Sequence, residues 1–218
     1  MKVTDKIEIT NEDNMLLMAR YPDNYFDLAI VDPPYGIGAE QGYGQSNNKK
    51  IHNRTKDWDN EVPTKEYFNE LFRVSKNQVI WGGNYFDLPP TRCFIIWDKL
   101  QQGKNFSDCE MGWTSFNKIA KIYKLRYLAP YECAVNNTIK RIHPSQKRPE
   151  LYEYVLINYA KEGDKILDTH LGSGSIALAC HDRGFELTAC ELDKDYFAAA
   201  IKRIQNHTAQ QTIFDQGA

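Results

Sequence analysis

The feature that most constrains the fold is a regular alternation of helix and strand patterns in the second half of the chain. A helix pattern opens at Pro149, and an apolar strand over Lys165–Asp168 leads through a glycine-rich turn into a helix from Ser175. A second strand over Glu186–Glu191 precedes a last helix over 193–206. Strands that alternate with helices pair in parallel and are covered by helices on both faces. The pattern therefore predicts an α/β fold with a mostly parallel, twisted sheet.

Five further elements are predicted in the first half of the chain. They are a helix over 11–20, a strand over Phe26–Val31, a helix from the cap Thr64 to Ser75, and strands over Gln78–Trp81 and Cys93–Trp97. Residues 110–127 alternate loosely, which predicts a hairpin or two antiparallel strands. Residues 36–60 show no periodicity, and a long loop of this kind is usually a functional lid, so we predict a flexible loop there. The whole chain, 1–218, is predicted to form a single domain.

Composition excludes several classes of protein. With 42% hydrophobic and 26% charged residues, the chain is too apolar for a disordered protein. Its longest purely apolar run, Tyr196–Ile201, is far shorter than the roughly 20 residues of a membrane helix, and the first residues lack a signal-peptide pattern. The five cysteines include no Cys-x-x-Cys pair, which argues against disulfides and zinc knuckles. We therefore predict a cytoplasmic protein with no membrane partner and no metal.

Charge is unevenly distributed along the chain. The formal net charge is −2, but residues 117–148 carry eight bases and one acid. A second basic cluster follows residue 36. This asymmetry is typical of a nucleic-acid-facing surface, although a solvated face gives the same pattern. The candidate DNA-binding residues are Lys49, Lys50, Arg54, Lys121, Lys124, Arg126, Arg141 and Arg148.

Asp168-Thr-His-Leu-Gly172-Ser-Gly174-Ser175 forms the glycine-rich turn between a strand and a helix. Glycines let the backbone approach a ligand closely, and the helix N-terminus supplies free N–H donors. Glu191, at the end of the next strand, offers two acceptor oxygens that match the two hydroxyl groups of a ribose. An ordinary tight turn has the same letters, but the strand, helix and acid together favour a nucleotide-like ligand.

Asp32-Pro33-Pro34-Tyr35 ends a buried strand. Two prolines remove two N–H donors and leave carbonyl groups free to accept hydrogen bonds. A carboxylate, a carbonyl and an aromatic ring can bind an amino group on a planar heterocycle. In isolation the same letters indicate a strand-terminating turn. A third motif, His143-Pro-Ser-Gln-Lys147, places polar groups and a cation before the helix at Pro149, where they suit a carboxylate or form an exposed cap.

Together the three motifs resemble one family. Asp-Pro-Pro-Tyr, then His-Pro-Ser-Gln-Lys, then Leu-Asp-Thr-His-Leu-Gly-Ser-Gly-Ser and Ala-Cys-Glu-Leu-Asp-Lys-Asp-Tyr look like motifs of the S-adenosylmethionine-dependent DNA amino-methyltransferases. The catalytic block precedes the cofactor block, as in the circularly permuted beta class. The similarity extends from about Asn11 to Ile204. It implies a methyltransferase-type Rossmann-like sheet with one antiparallel strand near an edge.

The resemblance also implies roles for individual residues. The catalytic motif falls on Asp32, Pro33, Pro34 and Tyr35, which would hold and stack on a base extruded from double-stranded DNA. S-adenosylmethionine is the implied cofactor. Its binding residues are Asp13, Asp32, Ser145, Gln146, Lys147, Asp168, His170, Gly172, Gly174, Ser175 and Glu191. Residues 99–141 are left as a short target-recognition region, which predicts a short recognition site or a partner subunit, such as a second copy of this chain.

The sequence departs from the family where Thr169 and His170 stand, since Pro and Phe are usual there. His170 would contact the cofactor or act as a hydrogen-bonded loop histidine. Asp before Pro-Pro-Tyr favours adenine N6 over cytosine N4 as the target. Three alternatives stay open: cytosine-N4 methylation, RNA methylation, and a DNA-binding protein with a degenerate cofactor site. Methylation of a cytosine ring carbon is excluded because no cysteine follows a proline.

Overall fold

A computed structural model describes residues 1–37, 61–103, 107–127 and 141–215, with side chains to residue 210. The predicted loop 36–60, with Lys49, Lys50 and Arg54, therefore lies outside the described residues except at its first two positions. Among the described helices, none is long and apolar enough to cross a membrane.

Eight strands form one sheet. The strands are β1 (Ile7–Thr10), β2 (Phe26–Val31), β3 (Ser75–Trp81), β4 (Phe94–Asp98), β5 (Cys109–Thr114), β6 (Lys121–Lys124), β7 (Lys165–Asp168) and β8 (Glu186–Cys190). Their order across the sheet is β1-β8-β7-β2-β3-β5-β4-β6. All pairings are parallel except those of β5, which runs antiparallel to both β3 and β4. The mostly parallel α/β sheet with one antiparallel strand is confirmed, although that strand lies third from the edge.

The helices are α1 (Asn14–Met18), α2 (Lys65–Val74), α3 (Pro149–Tyr159), α4 (Ser175–Arg183) and α5 (Lys194–Asp215). The side chains of β2 alternate, so that Leu28 and Ile30 pack with α3, α4 and α5 on one face of the sheet. Ala29 and Val31 pack with α1 and α2 on the other face. Because both faces are covered, β2 carries consecutive buried apolar residues over Leu28–Val31, and β3 does so over Val79–Trp81.

Of the two predictions for residues 110–127, two antiparallel strands are found, β5 and β6, but they do not pair with each other, so the hairpin is wrong. Strand β6 pairs in parallel with β4, with Ile95 opposite Lys121 and Asp98 opposite Lys124. Strand β5 fills the space between β4 and β3 instead. Strand β1, a four-residue edge strand, was not predicted, and the first helix is shorter than expected while the last is longer.

Parallel strands place their carboxyl ends at one edge of the sheet, which we call the carboxyl edge. Residues Asp32, Trp81, Asp98, Asp168 and Cys190 mark this edge. Because β5 runs in the opposite direction, its first residues, Cys109 and Glu110, lie there too. Ligands of open α/β sheets bind in the crevice outside this edge.

Candidate active site

A cavity of about 740 Å³ opens at the carboxyl edge, between α1, the glycine-rich turn and the segment before α3. Its lining includes Asp13, Asp32, Ser145, Gln146, Lys147, His170, Gly172 and Glu191 of the predicted cofactor residues. It also includes residues that the sequence did not indicate, such as Asn14, Tyr152, Leu192, Asp193 and Tyr196. Eight of the eleven predicted cofactor residues thus meet around one cavity, which has the size of a small-molecule site.

Glu191 is fixed at the end of β8 by two backbone donors. Gly172 N donates to Glu191 Oε2 at 2.8 Å, and Asp193 N donates to Glu191 Oε1 at 2.9 Å. Gly172 has φ +53°, a conformation that favours glycine and turns the loop toward the carboxylate. Burial raises the pKa of Glu191 above its ordinary value. Because a carboxylate oxygen can accept more than one hydrogen bond, Glu191 can still accept from a pair of ligand hydroxyls.

Thr169 and His170 form part of a buried polar chain. The Asn14 side-chain nitrogen lies 3.2 Å from His170 Nε2, and His170 Nδ1 lies 3.0 Å from Thr169 Oγ1. Thr169 Oγ1 in turn lies 2.7 Å from Tyr67 Oη. Burial lowers the pKa of His170 to about 4, so the ring is neutral at pH 7, accepting through Nε2 and donating through Nδ1. The departure from the family pattern is therefore a hydrogen-bonded link between α2 and α1 that lines the cavity.

Asp13 caps α1. Its Oδ1 accepts from Met15 N at 2.8 Å and from Leu16 N at 3.4 Å. This use of the carboxylate as an N-cap fixes the position of Asp13 beside the cavity.

Three predicted cofactor residues lie behind the cavity wall. Asp168 is 2% exposed and accepts a hydrogen bond from His170 N; burial raises its pKa to about 8. A Cβ at Gly174 would lie 3.0 Å from Ile204 Cδ1, so this glycine allows α5 to pack closely. Ser175 donates to the backbone oxygen of Lys147 at 2.6 Å. These residues support the loop instead of facing the cavity.

The segment before α3 is a turn held by its own side chains. Gln146 Oε1 accepts from Ile142 N at 3.0 Å, and Ser145 Oγ lies 3.0 Å from His143 Nδ1. Burial and the charge of Lys147 lower the pKa of His143 to about 4. This turn delivers Lys147 to the carboxyl edge of the sheet.

The carboxylate of Asp32 is engaged by two donors. Tyr35 Oη donates to Asp32 Oδ1 at 2.7 Å, and Lys147 Nζ donates to Asp32 Oδ2 at 2.5 Å. The Lys147 side chain is only 4% exposed, and although burial lowers its pKa, the charges of Asp32 and Glu110 raise that pKa above the ordinary value. Lys147 is therefore an ammonium ion bound to Asp32, a different partner from the ligand carboxylate that the resemblance implies.

Tyr35 folds back over the end of β3. A Cβ at Gly82, whose φ is +70°, would lie 2.1 Å from Tyr35 Cε1, so only glycine leaves room for the ring. The ring of Tyr35 also stacks on Tyr85, with centroids 4.9 Å apart and planes at 14°. Tyr85 is 44% exposed, so the stacked pair extends from the buried carboxylate to the surface. Pro33 is buried, and Pro34 borders the cavity.

Glu110 is a member of the site that sequence analysis missed. One oxygen, Oε2, lies 3.1 Å from Lys147 Nζ, and the other, Oε1, lies 2.7 Å from Lys99 Nζ. Burial alone would raise the pKa of Glu110, but the charges of Lys147 and Lys99 lower it to about 2. Because its partners lie far away in the sequence, only the antiparallel placement of β5 brings this carboxylate to Lys147.

The predicted DNA-binding residues that the structure describes fall into two groups. Lys124 ends β6 at the carboxyl edge and Arg126 follows it, whereas Lys121 begins the same strand at the opposite edge. Arg141 donates to Tyr127 Oη, and Arg148 pairs with Glu150. Lys124 and Arg126 are therefore the exposed bases of this set that lie at the carboxyl edge, where the cavity opens.

Comparison with known proteins gives consistent results. A family model described as DNA methylase, N6_N4_Mtase, matches residues 97–202. The Type II methyltransferase M.HpaI of Haemophilus parainfluenzae is 23% identical over 230 residues, which cover 84% of this chain and 69% of that protein. The Type II methyltransferase M2.DpnII of Streptococcus pneumoniae is 22% identical over an alignment of 244 residues, which covers 92% of this chain and 90% of that protein.

Two solved structures share the fold. The complex of M1.HpyAVI with SAM superposes with a TM-score of 0.56 at 22% identity, covering 90% of this chain and 99% of that one. The PvuII DNA methyltransferase, which is cytosine-N4-specific, gives a TM-score of 0.57 at 14% identity, covering 93% and 92%. At these identities the likeness shows the fold alone.

Proposed function

We propose that this chain is an amino-methyltransferase of the N6/N4 DNA methylase family, whose model matches residues 97–202, and that it transfers a methyl group from S-adenosylmethionine to the exocyclic N6 of adenine in double-stranded DNA. The observation that carries this proposal is the position of Asp32, which borders the cavity and also anchors the Asp-Pro-Pro-Tyr turn. We also propose a role in restriction-modification, which the Type II names of the relatives support, and a cytoplasmic location.

The cavity fits the cofactor in the chemistry of its lining. Glu191 presents a doubly anchored carboxylate to the ribose, and Asp13 and Asn14 border the place that an adenine ring would take. The adjoining acids Asp193 and Asp195 match the positive charges of the sulfonium and ammonium groups. S-adenosylmethionine supplies the electrophilic methyl group, and the chain's own residues bind and orient the two reactants.

Asp32 performs the central task on the target base. The lone pair of an exocyclic amine is delocalised into the ring, so the nitrogen is a poor nucleophile. Acceptors placed on its two hydrogens, which the motif offers as the Asp32 carboxylate and the Pro33 carbonyl, favour a localised lone pair. The negative charge of Asp32 also stabilises the positive charge that grows on nitrogen during transfer. Positioning and electrostatics therefore account for the reaction without a covalent enzyme intermediate.

The hydroxyl of Tyr35 and the ammonium of Lys147 hold the positions on Asp32 that an amine would use. An incoming amine therefore competes with both donors for the carboxylate. Release of the Tyr35 hydroxyl would free the ring to stack on the base, an interaction worth about 1–3 kcal/mol that offsets part of the cost of extruding the nucleotide.

The buried chain through His170 and Thr169 speaks against a degenerate cofactor site. These residues replace an apolar contact by fully paired polar groups, and the cavity beside them is retained.

The test is incubation of the purified protein with unmethylated plasmid DNA and methyl-labelled S-adenosylmethionine, followed by nucleoside chromatography. Label in N6-methyldeoxyadenosine supports the proposal. Label only in N4-methyldeoxycytidine refutes the adenine assignment, and label that appears only when RNA replaces DNA refutes the DNA assignment. Failure of calorimetry to detect cofactor binding would favour a DNA-binding protein without activity.

A further inference from the structure

Lys147 lies between two carboxylates, one of which it contacts at a shorter distance than the other. Its Nζ donates to Asp32 Oδ2 at 2.5 Å, whereas Glu110 Oε2 lies 3.1 Å away on its other side. Within the described part of the chain, the buried Glu110 Oε2 has Lys147 as its partner, at a longer distance than the hydrogen bond from Lys147 to Asp32. A buried acceptor held by one long contact is incompletely satisfied, which costs free energy and calls for an explanation.

The requirement placed on Asp32 supplies that explanation. An amino group of a base that binds Asp32 competes with Lys147 and Tyr35, each of which now donates to one of its oxygens. A buried ammonium ion cannot be left without a counter-ion, because the desolvation of an unpaired charge is costly. If the Lys147 ammonium stayed close to Asp32, it would also repel the positive charge that develops on the amine.

From this arrangement we infer that Glu110 is a positioning residue, which takes the Lys147 ammonium when the target amine engages Asp32. The inference rests on the proposed function. Lys147 then moves from one carboxylate to the other and remains paired throughout, so the base meets a carboxylate freed for hydrogen bonding. The low pKa of Glu110, about 2, agrees with this role, because the group stays ionised at any physiological pH.

The other oxygen of Glu110 ties this exchange to the recognition region. Lys99, bound to Glu110 Oε1, lies 5.4 Å from the ring centroids of both Trp97 and Tyr127. Tyr127 N donates to the backbone oxygen of Lys99 at 3.0 Å, and Tyr127 Oη accepts from Arg141. Glu110 is thus linked through Lys99 to Tyr127 and Arg141, which stand on either side of the segment 128–140.

The decisive variant is Glu110→Gln, which keeps the shape of the side chain and removes its charge. With Asp32 as its remaining counter-ion, Lys147 holds that carboxylate more tightly. We expect kcat for methyl transfer to plasmid DNA to fall at least tenfold, with KM for cofactor and for DNA within about threefold of wild type. Glu110→Asp should recover part of kcat, since it restores the charge.

Glu70→Gln is the matched control. Glu70 is as exposed as Glu110, at 23% against 21% of the side chain, and its carboxylate likewise holds a cation, Arg73 at 2.6 Å, but remote from the cavity. This control should retain the wild-type kcat. Lys99→Met should cost less kcat than Glu110→Gln, because it leaves the charge that Lys147 needs; an equal loss would mean that Glu110 acts through Lys99 and would overturn the inference.

A second readout does not depend on activity. In protein labelled with ¹⁵N-lysine, the ammonium signal of Lys147, assigned by its loss in Lys147→Met, should shift in Glu110→Gln and stay unchanged in Glu70→Gln. An unshifted signal, or an active Glu110→Gln enzyme with wild-type kcat, overturns the positioning role while the proposed function stands. A wild-type protein that methylates no nucleic acid overturns the proposed function, and the catalytic part of this inference with it, even if the signal moves.

Discussion

Removal of the Lys147 charge should destabilise the protein far more than removal of an ordinary surface lysine. Lys147→Met fills a similar volume but leaves Asp32 and Glu110 as neighbouring carboxylates without their shared cation. Breaking a buried ion pair by removing one partner costs about 3–5 kcal/mol. That is a large share of the roughly 5–15 kcal/mol that stabilises a typical domain, so the variant should fold but with a small margin.

The assay is urea unfolding at pH 7, followed by the fluorescence of the buried Trp81 and Trp97. With a slope of about 3 kcal/mol per molar urea, the midpoint should fall by roughly 1–2 M. Lys76→Met is the control, since Lys76 pairs with Asp27 at 2.6 Å but is 52% exposed, and surface ion pairs contribute little. We expect its midpoint to stay close to that of the wild type.

The pH dependence gives a second check of the same reasoning. Lys147 and Lys99 hold the pKa of Glu110 at about 2, below its ordinary value of 4.5. A depressed carboxyl pKa stabilises the fold above the unfolded pKa, and this contribution is lost as the pH falls toward the folded pKa. The difference between wild type and Lys147→Met should therefore be full above about pH 5 and shrink between pH 4.5 and pH 2. A difference that is independent of pH, or no larger than that of the control, would refute the ion-pair argument.

Three further predictions concern activity and binding. Asp32→Ala should abolish methyl transfer while calorimetry finds cofactor affinity within a few-fold of wild type; a parallel loss of both would show that Asp32 serves the cofactor instead. Gly82→Ala should lower the transfer rate at least tenfold, with cofactor affinity retained, because the new methyl group meets the ring of the catalytic tyrosine at a backbone φ of +70°; wild-type turnover would exclude that clash. Neutralising Lys124 and Arg126 should reduce the slope of log affinity for DNA against log salt by about 1 per lost phosphate contact. Lys121→Gln, at the opposite edge of the sheet, should leave this slope unchanged. Equal slopes for all variants would show that Lys124 and Arg126 belong to an ordinary solvated face.

The parts of the fold that sequence analysis predicts well are those with local causes. Strand β2 ends where two prolines follow it, and α4 ends at Gly184, whose φ of +74° few other residues adopt. The apolar runs of β2 and β7 are buried on both faces, so they differ clearly from their surroundings in sequence. Strand β1 escaped prediction because it is only four residues long, so that the alternation of buried Ile7 and Ile9 with more exposed residues is too short to stand out.

Partner choice is the part that the sequence does not reveal. The residues of β5 and β6 favour two strands, but no local sequence signal indicates that β6 pairs with β4 and not with β5. The same limit applies to the site. The Asp-Pro-Pro-Tyr and glycine-rich motifs are contiguous and could be recognised, whereas Glu110 reaches Lys147 only through the register of β5 on β4. Likewise, the pairing of Lys147 with Asp32 depends on a distance between segments 115 residues apart.

The reversed direction of β5 has a consequence for how such a protein can vary. Both the connection from β4 to β5 and the chain that leaves β6 toward α3 begin at the carboxyl edge, the edge that Asp32 marks. The half from β7 to α5, which carries the glycine-rich turn and Glu191, contributes neither connection. Under the proposed function, insertions in those two connections would lengthen the surface presented to DNA without disturbing this half, because long surface loops are tolerated at small thermodynamic cost. We therefore propose that exchanging these two segments with those of a longer relative alters the target sequence.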